Sequence, residues 1–462
     1  MRSFIFIFLL LISNPFSSQD IGGKWYGVAE VMGRELPIGI ELMKVYEDWS
    51  ANLLDPKKNK VVMPFDSAEV SGNKIFLLQK RIGFIFSGTY KNDSIIGVAK
   101  QNGLDIPLVL TKNLLVSKEI KRPQTPEPPF DYYTEEISIY NSKDSITLSG
   151  TLTLPDATGK KVPVVILISG SGPQNRDSEI LGHKPFAVIA DHLAKQGIGS
   201  FRYDERGVGK STGKYRGSDL NDFYSDVDAI VNLISKRKEI SELGLAGHSE
   251  GGIIAPKYAA NNRRKIDFVI LLAGPGVPVK EMMHEQRRIQ FEAMGMSKEN
   301  IAKNKAMFIE IDNIVLNEEN EEIKVKRIRN AVEKSLEGNQ LSKEEKENAI
   351  STVLNQVNTP WYKSFVATVP STYLQKIRCR SLVIAGGKDT QVPMKENVEG
   401  FKEHLNRKML FIFRPVNTYV THSNLNHLFQ PCVFGTVEEY GRIETTISRD
   451  VLFNISDFIN KQ

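Results

Sequence analysis

The chain has 462 residues, 41% hydrophobic and 25% charged, the composition of an ordinary globular protein at a length that exceeds one hydrophobic core, so two or more domains are expected. Sixty Lys and Arg against 55 Asp and Glu leave a formal charge of +5; so small an excess, with no basic block, argues against nucleic acid as a partner. Two cysteines, Cys379 and Cys432, exclude a disulfide framework and a cysteine-based metal site.

The first residues, "MRSFIFIFLLLISNPFSSQD", carry a basic Arg2, an apolar run from Phe4 to Ile12, then a proline and small polar residues. That is the layout of a secretory signal over residues 1–19, and the run is too short to span a bilayer. The expected cut lies near Ser18 or Gln19. No cysteine sits there to take a lipid, and no other segment reaches transmembrane length, so a secreted or periplasmic protein without stable membrane insertion is expected.

Residues 20–115 read as a small all-β domain. The segments "KWYGVAEV", "LPIGIELMKV", "KIFLLQK", "FIFSGTY", "SIIGVAK" and "IPLVLTK" are punctuated by Gly, Asn and Asp, which suggests an antiparallel sandwich or barrel. The string "SGTYKNDSIIGVAK" resembles one strand–turn–strand unit of a lipocalin-like barrel. Residues 116–131 contain Pro123, Pro126, Pro128 and Pro129; such a run favours extended structure and marks a linker.

From residue 132 to 462 the texture changes. An expected hairpin, "EEISIYN" with "ITLSGTLTLP", precedes the apolar runs "VPVVILISG", "GIGSFRYD", "LGLAG", "DFVILLAG", "RSLVIAGG" and "MLFIFRP", which alternate with helical patterns. This predicts an α/β fold with a mostly parallel sheet covered on both faces. In such sheets ligands bind at the carboxyl ends of the strands. Cys379 would open one strand while Cys432 follows a loop at the other end of the sheet, ~17–20 Å away, so both thiols are expected free. At about 275–377 a Glu- and Lys-rich stretch of helical periodicity interrupts the alternation, and a helical cap over the strand ends is expected.

"YDERGVGKSTG" (203–213) imitates a phosphate-binding loop, but Asp204 stands where the first glycine belongs, and Asp204 and Glu205 would repel phosphates. It is read as a structural turn in which Asp204 and Arg206 pair. The chemistry-bearing string is "LGLAGHSEGG". Gly247, Ser249 and Gly251 form G-x-S-x-G between an apolar strand and a helix, the context of a nucleophile elbow. A serine hydroxyl needs a base and a group that orients the base, in the chain order Ser, acid, His. Asp389 follows "RSLVIAGG" and is the expected acid. The base is His427 or His422, with His427 favoured for its apolar flanks; His404 reads as a helix residue without a role. Oxyanion donors are expected from the backbone N–H of Glu250 and of Ser171, with Gly172 the alternative to Ser171 in "ISGSGPQNRD".

The strings "GSGPQNRD", "ADHLAKQGIGSFRYDERGVGKSTG", "GHSEGG", "GGKDTQVP" and "NHLFQ" together resemble the α/β-hydrolase superfamily, most of all bacterial acyl esterases and serine aminopeptidase-like hydrolases with an extra N-terminal domain. The resemblance covers roughly 132–275 and 375–462. It implies a structural R-G-x-G-x-S turn at the false phosphate loop and an ester-cleaving serine hydrolase with triad roles on Ser249, Asp389 and His427. No metal or organic cofactor is expected, and the partner is a small ester or a short peptide. The alternatives are a serine aminopeptidase of the proline-iminopeptidase kind and a non-catalytic binding protein on a hydrolase scaffold.

Overall fold

The structure, a computed structural model, describes residues 21–31, 34–56, 59–101, 104–113, 120–155, 160–338, 341–405 and 416–461. The expected signal segment and its cut lie outside these residues. The chain divides into two compact units, Met1–Glu119 and Ile120–Gln462.

The first unit holds β1 (Gly23–Val31), β2 (Arg34–Val45), β3 (Asp48–Asp55), β4 (Lys60–Pro64), β5 (Ser67–Ser71), β6 (Lys74–Gln79), β7 (Phe84–Lys91), β8 (Ser94–Gln101) and β9 (Leu104–Thr111). They form one antiparallel sheet in the order β4-β3-β2-β1-β9-β8-β7-β6-β5. Alternate residues of β1, β2 and β6 to β9 enter one core, among them Trp25, Ile40, Leu42, Leu77, Phe86, Ile95 and Leu108. The sheet curls back on itself between β4 and β5. There the amide of Phe65 donates to Ala51 O on β3 and that of Asp66 to Leu78 O on β6, both at 2.8 Å. The result is a half-barrel rather than a sandwich of two sheets. Strands β3, β4 and β5 are absent from the sequence reading. Their strings "DWSANLLD", "KVVMP" and "SAEVS" are mixed in polarity, and of these residues only Ala51 and Leu54 are buried, so no period-2 apolar pattern marks them.

The second unit holds β10 (Tyr132–Asn141), β11 (Ile146–Pro155), β12 (Val162–Ile168), β13 (Gly199–Tyr203), β14 (Ile240–His248), β15 (Phe268–Leu272), β16 (Arg380–Gly386) and β17 (Asn417–His422). Their order is β10-β11-β13-β12-β14-β15-β16-β17. Strands β10 and β11 are antiparallel, and from β13 to β17 all pairings are parallel. Three helices, α1 (Pro185–Lys195), α2 (Leu220–Ile234) and α3 (Gly251–Asn261), connect the strands up to β15. Between β15 and β16 run α4 (Val279–Ala293), α5 (Lys298–Asn317), α6 (Glu321–Ser335), α7 (Lys343–Val357), α8 (Pro360–Val366) and α9 (Ser371–Leu374), the helical cap. The chain ends with α10 (Met394–Leu405), α11 (Val437–Tyr440) and α12 (Arg449–Asn460); His404 lies on α10.

The apolar runs are continuous because both faces of the sheet are covered. Along β12, Val164, Ile166 and Ile168 pack into one core with α2 and α3, whereas Val165 and Leu167 pack into a second with α1 and α12. The Pro-rich segment is tied to this unit from its first described residues. The Arg122 guanidinium donates to the carbonyls of Gly441 and Ile443 at 2.7 Å, and the Gln124 carboxamide bonds the backbone of Thr446 and Ile447. Cys379 and Cys432 are free thiols.

The expected strand "MLFIFRP" (409–415) lies outside the described residues, and the last described strand is "NTYVTH". It sits at the sheet edge, where its residues are mostly half-buried, so it alternates Thr, Tyr and Val instead of forming an apolar run. One expectation is corrected: Asp204 and Arg206 do not pair with each other. Arg206 is buried and reaches α2, where its Nε bonds Asp226 at 2.8 Å, and it also bonds Asp144 at 2.7 Å. Asp204 bonds the Arg176 guanidinium at 2.8 Å and accepts the amides of Arg176 and Lys210. The ion-pair partners of both residues are thus supplied by other segments, and the turn is structural. Strand order, parallel pairing, helices on both faces and a single helical insertion make the second unit an α/β-hydrolase fold, preceded by the β domain.

Candidate active site

The turn from β14 to α3 is sharp because its residues allow it. Ser249 has φ of 54°, a left-handed conformation that costs a side-chain-bearing residue energy and persists only where its surroundings hold it. The Ser249 amide donates to Leu272 O at 2.9 Å, and Gly252 N to Ser249 O at 2.8 Å. A Cβ on Gly247 would lie 2.0 Å from the carbonyl oxygen of Gly251, and one on Gly251 would lie 2.3 Å from that of Ile168. Only glycine fits at either position, and the pair lifts Ser249 to the carboxyl end of the sheet, at the N-terminus of α3.

The loop after β16 carries Asp389 and the loop after β17 carries His427, both buried. The His427 ring donates through Nδ1 to Asp389 Oδ2 at 2.7 Å. The other carboxylate oxygen accepts the amides of Gln391 and Val392, each at 2.8 Å, so the acid is fixed from both sides. His422 is the last residue of β17, and its Nε2 bonds Asn454 at 2.9 Å, away from Asp389. The side chain of Asn426 shapes the His427 loop: its Oδ1 accepts the amides of Leu428 and Gln430 at 3.0 and 2.9 Å.

The loop after β12 lies against the serine, since a Cβ on Gly170 would approach Ser249 Cβ to 3.1 Å. Gly172 donates its amide to the Tyr215 hydroxyl at 2.8 Å, which removes it as a donor to a ligand. Among the described residues, no backbone carbonyl takes the amide of Ser171 or of Glu250.

Ser249, His427 and Ser171 line one cavity of about 270 Å³, roofed by Met282, Met283, Trp361 and Phe365 of the cap. Its lining includes four glutamines, Gln174, Gln286, Gln356 and Gln391, and no Asp, Glu, Lys or Arg. A hydroxyl at the tip of the bend, an imidazole whose Nδ1–H is held by a carboxylate, and two backbone N–H groups at strand and helix ends can together carry acyl transfer. Among the described residues, no group of three or more His, Cys, Asp and Glu is placed to hold a metal ion, and no helix is long and apolar enough to cross a membrane.

Three contributors escaped the sequence reading. His248, one residue before the serine, donates through Nε2 to the carbonyl of His427 at 2.9 Å, and the two rings lie 4.7 Å apart. Burial, then the neighbouring His427, lowers its pKa to about 4, so it stays neutral and holds the His427 backbone. The Glu250 side chain is buried, and Trp361 of α8 donates its indole N–H to it. His248 and Glu250 occupy the variable positions of G-x-S-x-G, where the motif itself is silent. Trp361 sits 112 positions away from Ser249 in a cap without any motif.

Residues 183–413 match the model of the family described as serine aminopeptidase, S33. Over 150 residues the chain is 31% identical to esterase EstD of Thermotoga maritima, a match that covers 32% of this chain and 35% of that protein. The chain thus spans about a third of the length of this curated relative. Among solved structures, Est1E from Butyrivibrio proteoclasticus with ferulic acid bound is 18% identical with a TM-score of 0.40, over 70% of this chain and 96% of that one. Proline iminopeptidase of Mycobacterium smegmatis is 12% identical with a TM-score of 0.43, over 71% and 98%. With the family model spanning half of its length, the chain belongs to the serine aminopeptidase S33 family of α/β hydrolases.

Proposed function

We propose that this protein is a serine hydrolase that cleaves carboxylic esters through an acyl-enzyme. Ser249 Oγ attacks the acyl carbonyl while His427 Nε2 takes its proton. Asp389 keeps the proton on Nδ1 and stabilises the imidazolium. The oxyanion is held by the amides of Ser171 and Glu250, and a lost donor of this kind raises the barrier by about 3–4 kcal/mol. The alcohol leaves with the proton from His427. Water, deprotonated by the same ring, then releases the acid and restores Ser249. The observation that carries this reading is the 2.7 Å bond from His427 to Asp389 on the same cavity wall as a serine held at positive φ.

Ester rather than amine-terminated peptide is favoured by the neutral cavity, because a free α-ammonium group calls for a counter-charge. The acidic run of the cap, "NEENEE" at 317–322, lies outside the cavity lining, and three of its acids are paired: Glu318 with Arg327, Glu319 with Lys363 and Glu321 with Lys324. The name of the Thermotoga maritima relative supports the same choice. The pattern of residues 1–19 supports action outside the cytoplasm, with residues 20–115 as a separate β domain ahead of the 116–131 linker and the hydrolase domain.

A fluorophosphonate probe followed by mass spectrometry tests nucleophile and reaction class together. Modification at Ser249 is expected, lost in Ser249→Ala along with hydrolysis of a short-chain nitrophenyl ester. Unchanged hydrolysis in that variant would overturn Ser249 as nucleophile, whereas a wild type with neither labelling nor hydrolysis would favour the non-catalytic reading. Faster turnover of an aminoacyl nitroanilide than of the ester would favour the aminopeptidase.

A further inference from the structure

The mechanism uses the backbone of Glu250 and leaves its side chain without a task. That side chain is 2% exposed, in a position where an acid is costly to bury. Its Oε2 accepts two hydrogen bonds, from Ser171 Oγ at 3.0 Å and from the Trp361 indole at 2.5 Å. These partners are telling. Ser171 and Glu250 are the two residues whose amides face the oxyanion in the proposed reaction, and Trp361 is the cap residue over the same cavity. One carboxyl oxygen therefore joins both donor-bearing residues to the cap.

The charge of this group matters as much as its bonds. An ionised carboxylate this close to the site opposes the negative charge that develops on the substrate oxygen, and the low-dielectric surroundings enlarge that opposition. A neutral carboxylic acid keeps both bonds, because its carbonyl oxygen accepts from two donors. Beside burial, Glu250 in turn raises the pKa of three neighbours that are acidic or phenolic, Glu205 after β13, Tyr203 within it and Tyr215 beyond it. The cap offers the cavity no charged side chain. Burial raises the Glu250 carboxyl to about 7, against the lowering by Trp361 and Ser171.

We propose that the Glu250 side chain is a positioning residue that works as the neutral acid, fixing Ser171 and Trp361 so that the two amides converge on the oxyanion, and that its ionisation impairs turnover. The inference rests on the reading of Ser249 as nucleophile. In a triad hydrolase the free base His427 gives a rising acid limb and a plateau; here a falling limb is expected above neutrality, from Glu250.

The test is kcat and KM for a short-chain nitrophenyl ester between pH 5.5 and 9 in wild type, Glu250→Gln, Glu250→Ala and Trp361→Phe, with urea unfolding of each. The wild-type kcat is expected to fall at least fivefold from its maximum by pH 9. Glu250→Gln, a neutral isostere, is expected to lack the falling limb and to recover at least tenfold of the kcat lost in Glu250→Ala, the loss lying in kcat rather than KM. Trp361→Phe removes one bond and is expected to lower kcat while the falling limb stays. A falling limb that persists in Glu250→Gln, or a Glu250→Gln kcat no higher than that of Glu250→Ala at pH 6 in folded proteins, overturns the proposal. Residual turnover in Ser249→Ala would instead overturn the reading beneath it.

Discussion

Replacing Asp389 by Asn tests how the acid controls the base, and the structure dictates how the new side chain must turn. Oδ1 of Asp389 accepts two backbone amides, from Gln391 and Val392, each at 2.8 Å. A carboxamide has one acceptor oxygen and one donor nitrogen. Turning the nitrogen towards the amides would set donor against donor and leave two buried N–H groups unsatisfied, at ~1–3 kcal/mol each. The oxygen therefore takes the Oδ1 position and the NH₂ faces His427 Nδ1 at the 2.7 Å contact. The ring must then accept there and carry its proton on Nε2, the atom that should receive the proton of Ser249. The wrong tautomer lowers kcat by ~10⁴ in the serine protease triad, a barrier increase of about 5.4 kcal/mol at 1.36 kcal/mol per decade. The assay is kcat for a nitrophenyl ester together with the rate of fluorophosphonate labelling, with urea unfolding to show that the fold is intact. Folded Asp389→Asn protein that retains more than a tenth of the wild-type kcat would refute the tautomer argument.

His422→Ala removes a ring that bonds Asn454 at the sheet edge, so kcat is expected to stay within about threefold of wild type, whereas His427→Ala should lose at least a thousandfold under the triad reading. Gly251→Ala puts a methyl group 2.3 Å from the Ile168 carbonyl oxygen; a destabilisation of about 1–3 kcal/mol is expected in urea unfolding, with loss of probe labelling as the elbow shifts. Burial also raises Glu205 from its ordinary 4.5 to about 8, against lowering bonds from the Gln174 amide and Ser169 Oγ. An acid with a raised folded-state pKa binds more protons folded than unfolded in that interval, so its contribution to stability is full below about 4.5 and is lost as pH rises through about 8. Wild type should unfold at lower urea at pH 8.5 than at pH 5.5, and Glu205→Gln should reduce that difference; an equal difference in both proteins contradicts the assignment.

Much of the second unit is legible because its signals are local. A strand covered on both faces must be apolar throughout, as β12 and β15 are, and a strained elbow must have glycine on both sides of its serine. The edge strand β17 escaped because half-exposed residues give no apolar run, and β3 to β5 escaped because their pattern is mixed. The Arg206 partner was misread because proximity in sequence suggested Asp204, while the guanidinium is directed into α2.

What the chain determines by itself is thus what depends on neighbouring residues: the alternation of buried strands and amphipathic helices and the bend at Ser249. Tertiary structure alone decides which distant groups meet. It brings His427 rather than His422 to Asp389, commits the amide of Gly172 to Tyr215, and sets Trp361 on the carboxyl of Glu250. Hydrogen bonds are short and directional, so their partners follow from the packing of whole elements. No spacing along the sequence encodes that packing.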